Sequence, residues 1–142
     1  MLKLLVPVDG SESSNRCIDV LVRKAGWYRE PIEVHLLNVQ PPIVSGNVTM
    51  FIKREQLEEY YRDEGLKALA EPRRKLDEAK VPYVYHIGVG EPAETIAKYA
   101  RDKQCDQIFM GTRGMGRVTG MLLGSVAAKV IHLSDVPVLL VK

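Results

Sequence analysis

The chain has 142 residues, 46% of them hydrophobic and 27% charged, with a net charge of +2. That length suits one domain with a real core, and the composition excludes a disordered chain. The near-balanced charge gives no reason to expect nucleic acid or an anionic membrane as partner. Cys17 and Cys105 are too few for a disulfide framework or a zinc site, and both read as buried thiols. No apolar run approaches a membrane span and the N-terminus lacks a signal-peptide layout, so a cytoplasmic location is expected.

Leu2 to Val8 is a short apolar run that ends in the turn signal Asp9-Gly10-Ser11. From Ser13 to Tyr28, apolar residues recur at helical spacing through Cys17, Ile18, Leu21, Val22 and Ala25, with Trp27 and Tyr28 expected to pack. Ile32 to Val39 is β-rich and stops before Pro41-Pro42. Lys53 to Lys80 is long and amphipathic, with Pro72 placed to kink or split it. Its Glu58, Glu59 and Glu64 read as a solvated face.

Pro82 to Ile87 is the third strand candidate, and Gly88 to Pro92 reads as a turn into a helix carrying Ile96, Ala97 and Ala100. Asp106 to Met110 forms a fourth strand, Leu122 to Leu133 a helix and Val136 to Val141 a last strand. His35, His86 and His132 are scattered singly and carry no metal-ligand spacing. Strict alternation of strand and helix predicts an α/β fold: an open, five-stranded parallel sheet in a single domain, with helices on both faces. Right-handed crossovers fix most of its topology, and the order 3-2-1-4-5 is expected.

The chemistry concentrates after the fourth strand. Gly111, Gly114, Gly116 and Gly120 fall within ten residues, and Gly124-Ser125 closes the set at a helix start. Glycines let backbone N–H groups approach an anion closely, and a helix N-terminus adds positive potential. The spacing is not that of a P-loop, because the chain has no Gly-Lys pair. Nor is it the dinucleotide fingerprint, because Thr119 stands where the third glycine would be. In a 3-2-1-4-5 sheet the order reverses between strands one and four, which brings Asp9-Gly10 and Met110-Gly111 to one crevice.

Three segments together carry a family likeness. The Gly111-x2-Gly114-x9-Gly124-Ser125 spacing, the Pro7-Val8-Asp9-Gly10-Ser11 opening and the Val136 to Val141 ending resemble the ATP-binding branch of the universal stress protein family. The resemblance implies ATP as ligand, with Mg²⁺ as a candidate companion. It implies that Asp9 faces the nucleotide, with Pro7 and Val8 shaping the adenine-side wall. Val39 would offer backbone polar groups to the adenine edge. Met110 and Gly111 would line base and ribose; Gly114, Gly124, Ser125 and Val126 would hold the phosphates, with Arg113 beside them.

It further implies a homodimer through the C-terminal strand. The apolar run at a sheet edge calls independently for such cover. Asp9 and Ser125 could share one Mg²⁺, yet no P-loop lysine or water-orienting residue accompanies them, so at most slow hydrolysis is expected. A true ATPase or nucleotidyl transferase of related fold, and a nucleotide-independent dimerisation module, are the competing readings.

Overall fold

A computed structural model describes residues 1–43, 53–113 and 123–142. Strands β1 (Leu2–Pro7), β2 (Ile32–Gln40), β3 (Tyr83–Val89), β4 (Gln107–Gly111) and β5 (Val138–Val141) form one parallel sheet in the order β3-β2-β1-β4-β5. Helices α1 (Glu12–Lys24), α2 (Arg54–Ala79), α3 (Pro92–Asp102) and α4 (Ser125–Leu133) connect them. The expected topology is the observed one. The alternation of β1 explains why both faces must be covered. Leu4, Val6 and Val8 join α1 and α2 in one buried cluster, whereas Leu5 joins α3 and α4 residues in a second.

Local chemistry sets the ends of the elements. Ser11 caps α1 by accepting a hydrogen bond from the Ser14 N–H at 3.1 Å. Glu91 caps α3 by accepting from Glu94 N–H at 2.8 Å and Ala93 N–H at 3.3 Å, with Pro92 in the first turn. Those bonds, the Glu94 N–H foremost, hold the Glu91 carboxyl below its ordinary range. Glu91 also meets Lys129 of α4 at 3.4 Å, tying the two helices together.

Several boundaries differ from the sequence expectation. Pro72 neither ends nor splits α2; it is buried in one continuous helix, beside Gly65, Leu69 and Leu76 on the inward stripe. Burial of that stripe outweighs the loss of one backbone bond. β3 runs on through Gly88 and Val89, because β2 offers it partners as far as Gln40. Helix α4 begins only at Ser125. Trp27 does not pack: it is 76% exposed in the 3₁₀ turn Ala25–Trp27, with the Lys24 ammonium 3.5 Å from its ring centroid. Tyr28 does pack, and its hydroxyl donates to Gln107.

Both cysteines are buried, and burial pushes the Cys17 thiol up to about 12, which leaves it protonated and inert near neutral pH. His35 and His86, far apart in sequence, stack at 5.5 Å across β2 and β3. His35 Nδ1 lies 3.3 Å from His86 Nε2, and its Nε2 lies 2.9 Å from Glu33. Tyr99 of α3 flanks His86 at 5.6 Å.

Desolvation, then the neighbouring His35 and Lys103, hold the His86 imidazole below its ordinary 6.5. The unfolded chain therefore takes up a proton there before the folded one does, and stability falls as pH drops below about 6.5. Urea midpoints measured at pH 7.5 and pH 5.5 should show a smaller acid loss for His86→Gln than for the parent chain. Equal losses in the two proteins would assign the effect to other groups.

Candidate functional site

The sheet opens where its order reverses. Pairing between β1 and β4 ends at Leu5↔Ile108, yet β1 continues to Pro7 and β4 to Gly111, so the two strands part toward their C-terminal ends. A cleft of about 830 Å³ occupies the gap. Its floor is Pro7, Val8 and Asp9 after β1, Val39 near the end of β2, and Met110, Gly111 and Arg113 at the end of β4. Gly124, Ser125 and Val126 supply the wall at the start of α4. Ten of the eleven residues expected at the site from sequence thus line one cleft. The eleventh, Gly114, lies outside the described residues, as do Gly116, Arg117 and Gly120.

The first helical turn of α4 faces this space without an internal cap. Gly124 stands at the N-cap position with no side-chain hydrogen bond, and the first turn carries no acidic residue. Helix N-termini leave N–H groups that seek an acceptor and present positive potential. Gly124 N–H donates to the Thr112 carbonyl at 2.6 Å, and Thr112 N–H donates to Val141, so the loop ends are pinned to β4 and β5. The Thr112 hydroxyl is buried with no partner among the described residues, in a residue only 7% exposed. A buried hydroxyl of that kind costs stability unless something bonds it.

Asp9 closes the turn after β1. Its carboxylate accepts from Ser11 N–H at 2.9 Å, while the Asp9 N–H donates to the Ser14 hydroxyl at 3.3 Å. Gly10 follows with φ of +85°, a left-handed conformation that glycine adopts without strain. A Cβ there would stand 3.5 Å from Ala68, so α2 lies directly against the turn.

At Val39 the backbone matters more than the side chain. Successive residues of a strand direct their N–H and C=O groups to opposite neighbours. The Leu37 carbonyl accepts from Val8 N–H on the β1 side, and the Gln40 carbonyl accepts from Gly90 N–H on the β3 side. Val39 therefore turns its donor and acceptor toward β1, past the last β1–β2 pair at Pro7↔Leu37. They face the open cleft.

The opposite wall was not legible in the sequence. Glu64, Lys67 and Ala68 of α2 line the cleft, with the Lys67 ammonium 3.0 Å from Glu64. That hydrogen bond raises the Lys67 proton affinity. Glu64 is therefore part of a cleft wall and not only of a solvated face. A signal existed: Gly65, in the middle of an otherwise good helix, marks the close approach of α2 to the sheet. Asn38, Gln40, Pro41, Pro92 and Ile96 also line the cleft.

The profile of the universal stress protein family matches residues 1–142. The chain belongs to that family. Universal stress protein YxiE of Bacillus subtilis is 30% identical to it over 99% of this chain and 98% of its own length. The solved structure of MJ0577, a universal stress protein of Methanocaldococcus jannaschii, superposes with a TM-score of 0.84 at 30% identity, covering 99% of this chain and 95% of that one. A universal stress protein solved in complex with cAMP superposes at 0.69 with 25% identity, covering 99% and 97%. No helix among the described residues of this universal stress protein is long and apolar enough to cross a membrane.

Proposed function

We propose that this universal stress protein binds ATP in the cleft between β1 and β4 and serves as a dimeric regulatory nucleotide binder. The observation that carries the reading is the N-terminus of α4, which has no side-chain cap among the described residues and lines the cleft where β1 and β4 separate. Unsatisfied donors around a concave, partly apolar space match a phosphorylated ligand. The relative solved with cAMP supports an adenine nucleotide within this family.

In this reading the adenine edge bonds the backbone of Val39, with Pro7 and Val8 as its wall and Met110 and Gly111 on the ribose side. The phosphates meet the N–H groups of Ser125 and Val126, the Ser125 hydroxyl, and Gly114 and Gly124, with Arg113 as countercharge. Mg²⁺ takes much of its coordination from phosphates and water, and Asp9 and Ser125 offer the protein oxygens. Lys67, the cation on the α2 wall, is already paired with Glu64. Rapid phosphoryl transfer wants a group that orients the nucleophile, and the cleft carboxylate Glu64 is held by Lys67. Binding with at most slow hydrolysis is the function this residue set favours.

The dimer forms through β5. Val138, Leu139 and Leu140 are only partly buried at the sheet edge, and a two-fold pairing would cover them. The test is direct. Heat-denatured protein should release ATP into the supernatant. Nucleotide-free protein should gain about 2.7 kcal/mol of stability at a hundredfold excess of ATP over Kd. No nucleotide and no thermal shift would remove the binding claim, and a monomer in sedimentation at micromolar concentration would remove the dimer.

A further inference from the structure

The end of β2 carries a hydrogen-bond chain that the binding reading above leaves unused. Asn38 is 2% exposed, and its Nδ2 donates to the Val8 carbonyl at 2.9 Å. A carbonyl only accepts, so the amide orientation of Asn38 is fixed and its Oδ1 must face the other way. That Oδ1 accepts from Gln40 Nε2 at 2.6 Å, which fixes the second amide in turn. Gln40 is left with an acceptor, Oε1, that carries no hydrogen bond among the described residues.

Position matters as much as polarity. Asn38 and Gln40 are two apart on the strand, so their side chains share a face. The Asn38 amide reaches across to Val8, beyond the last β1–β2 pair, and the Gln40 amide follows it. Gln40 itself lines the cleft that the Val39 N–H and C=O also face.

We propose that Gln40, oriented by Asn38, is a specificity residue that selects a 6-amino purine over a 6-oxo purine. The inference rests on the nucleotide reading above and deepens it. Adenine presents a 6-amino donor that Gln40 Oε1 can accept. Hypoxanthine and guanine present a 6-oxo acceptor, which would set two acceptors against each other and leave both unbonded. A site built to bond a donor rejects the analogue lacking it more strongly than an apolar pocket rejects a size change. Asn38 acts here as a positioning residue: it stops the Gln40 amide from rotating to present its N–H₂ to a 6-oxo group.

ATP and ITP differ at the purine 6-position, with N1 protonated in ITP, and calorimetric titration of both is the experiment. The parent protein should prefer ATP by at least about tenfold. In Gln40→Met that ratio should shrink by about tenfold, chiefly through weaker ATP binding. Asn38→Ser, which loosens the Gln40 amide, should shrink the ratio as well. Equal weakening of both nucleotides in Gln40→Met would mean a merely structural role and overturn the proposal, as would an unchanged ratio. In either case ATP binding itself would stand. A parent protein that binds neither nucleotide overturns this inference together with the reading beneath it.

Discussion

Ser125→Asp is expected to weaken ATP binding at least a hundredfold while leaving the melting temperature equal or higher. A carboxylate in the first turn of α4 interacts well with the helix dipole, worth about 0.3–1 kcal/mol, and the native first turn contains no acidic residue. The same charge would face the phosphates. Two unit charges about 5 Å apart repel by roughly 3 kcal/mol at an effective dielectric constant near 20, which exceeds the 2.7 kcal/mol of a hundredfold change. Stability and binding should therefore move in opposite directions. Calorimetry with ATP and a thermal melt of the nucleotide-free protein supply both readings. Retained affinity in a well-folded Ser125→Asp protein would place the phosphates elsewhere.

Gly65→Val is expected to destabilise the protein by about 1–3 kcal/mol, the range for forcing extra atoms into a packed interface. A Cβ at Gly65 would stand 2.7 Å from Ile87 Cδ1 and 2.8 Å from both Cγ1 and Cγ2. Three atoms of a β-branched side chain on β3 cannot all yield by one rotamer change. Helix propensity works against this loss, because glycine is a poor helix residue, but valine is a weak one too and the gain is only about 0.5 kcal/mol. The strain must move α2 away from β3. Glu64 and Lys67 ride on that helix, so the cleft wall should shift with it and ATP affinity should fall as well. Urea unfolding gives the stability term. A midpoint equal to or above the parent's would show that the helix and strand absorb the added methyl groups without cost.

Most of the architecture could be read from the chain because its signals are local. Alternation of short β-rich runs with amphipathic helices gave the parallel sheet, and right-handed crossovers narrowed the strand orders it could take. The errors lie where burial overrides local preference. Pro72 is a helix breaker by itself, yet it sits inside a continuous α2 because Leu69 and Leu76 on the same stripe are buried. β3 extends through Gly88 because β2 supplies hydrogen-bond partners to that point. Trp27, expected to pack, ends up exposed in the 3₁₀ turn that follows α1.

The candidate site divides in the same way. Residues near the glycine spacing and the Asp9 turn were identifiable, because special backbone chemistry leaves a mark in the sequence. Glu64, Lys67, Asn38 and Gln40 were not, because a charged helix face and a polar strand end look alike whether they border solvent or a cleft. The pairing of His35 with His86 was hidden for a related reason, being set by the register of β2 against β3.

The sequence alone settled the fold class and marked the two turns that meet at the reversal, since each follows from periodicity or from residues with restricted backbone geometry. Only the tertiary structure decided which side chains face one another across the gap. Contacts between residues distant in the chain depend on register and on how far each helix overhangs the sheet, and neither quantity is written in any local run of residues.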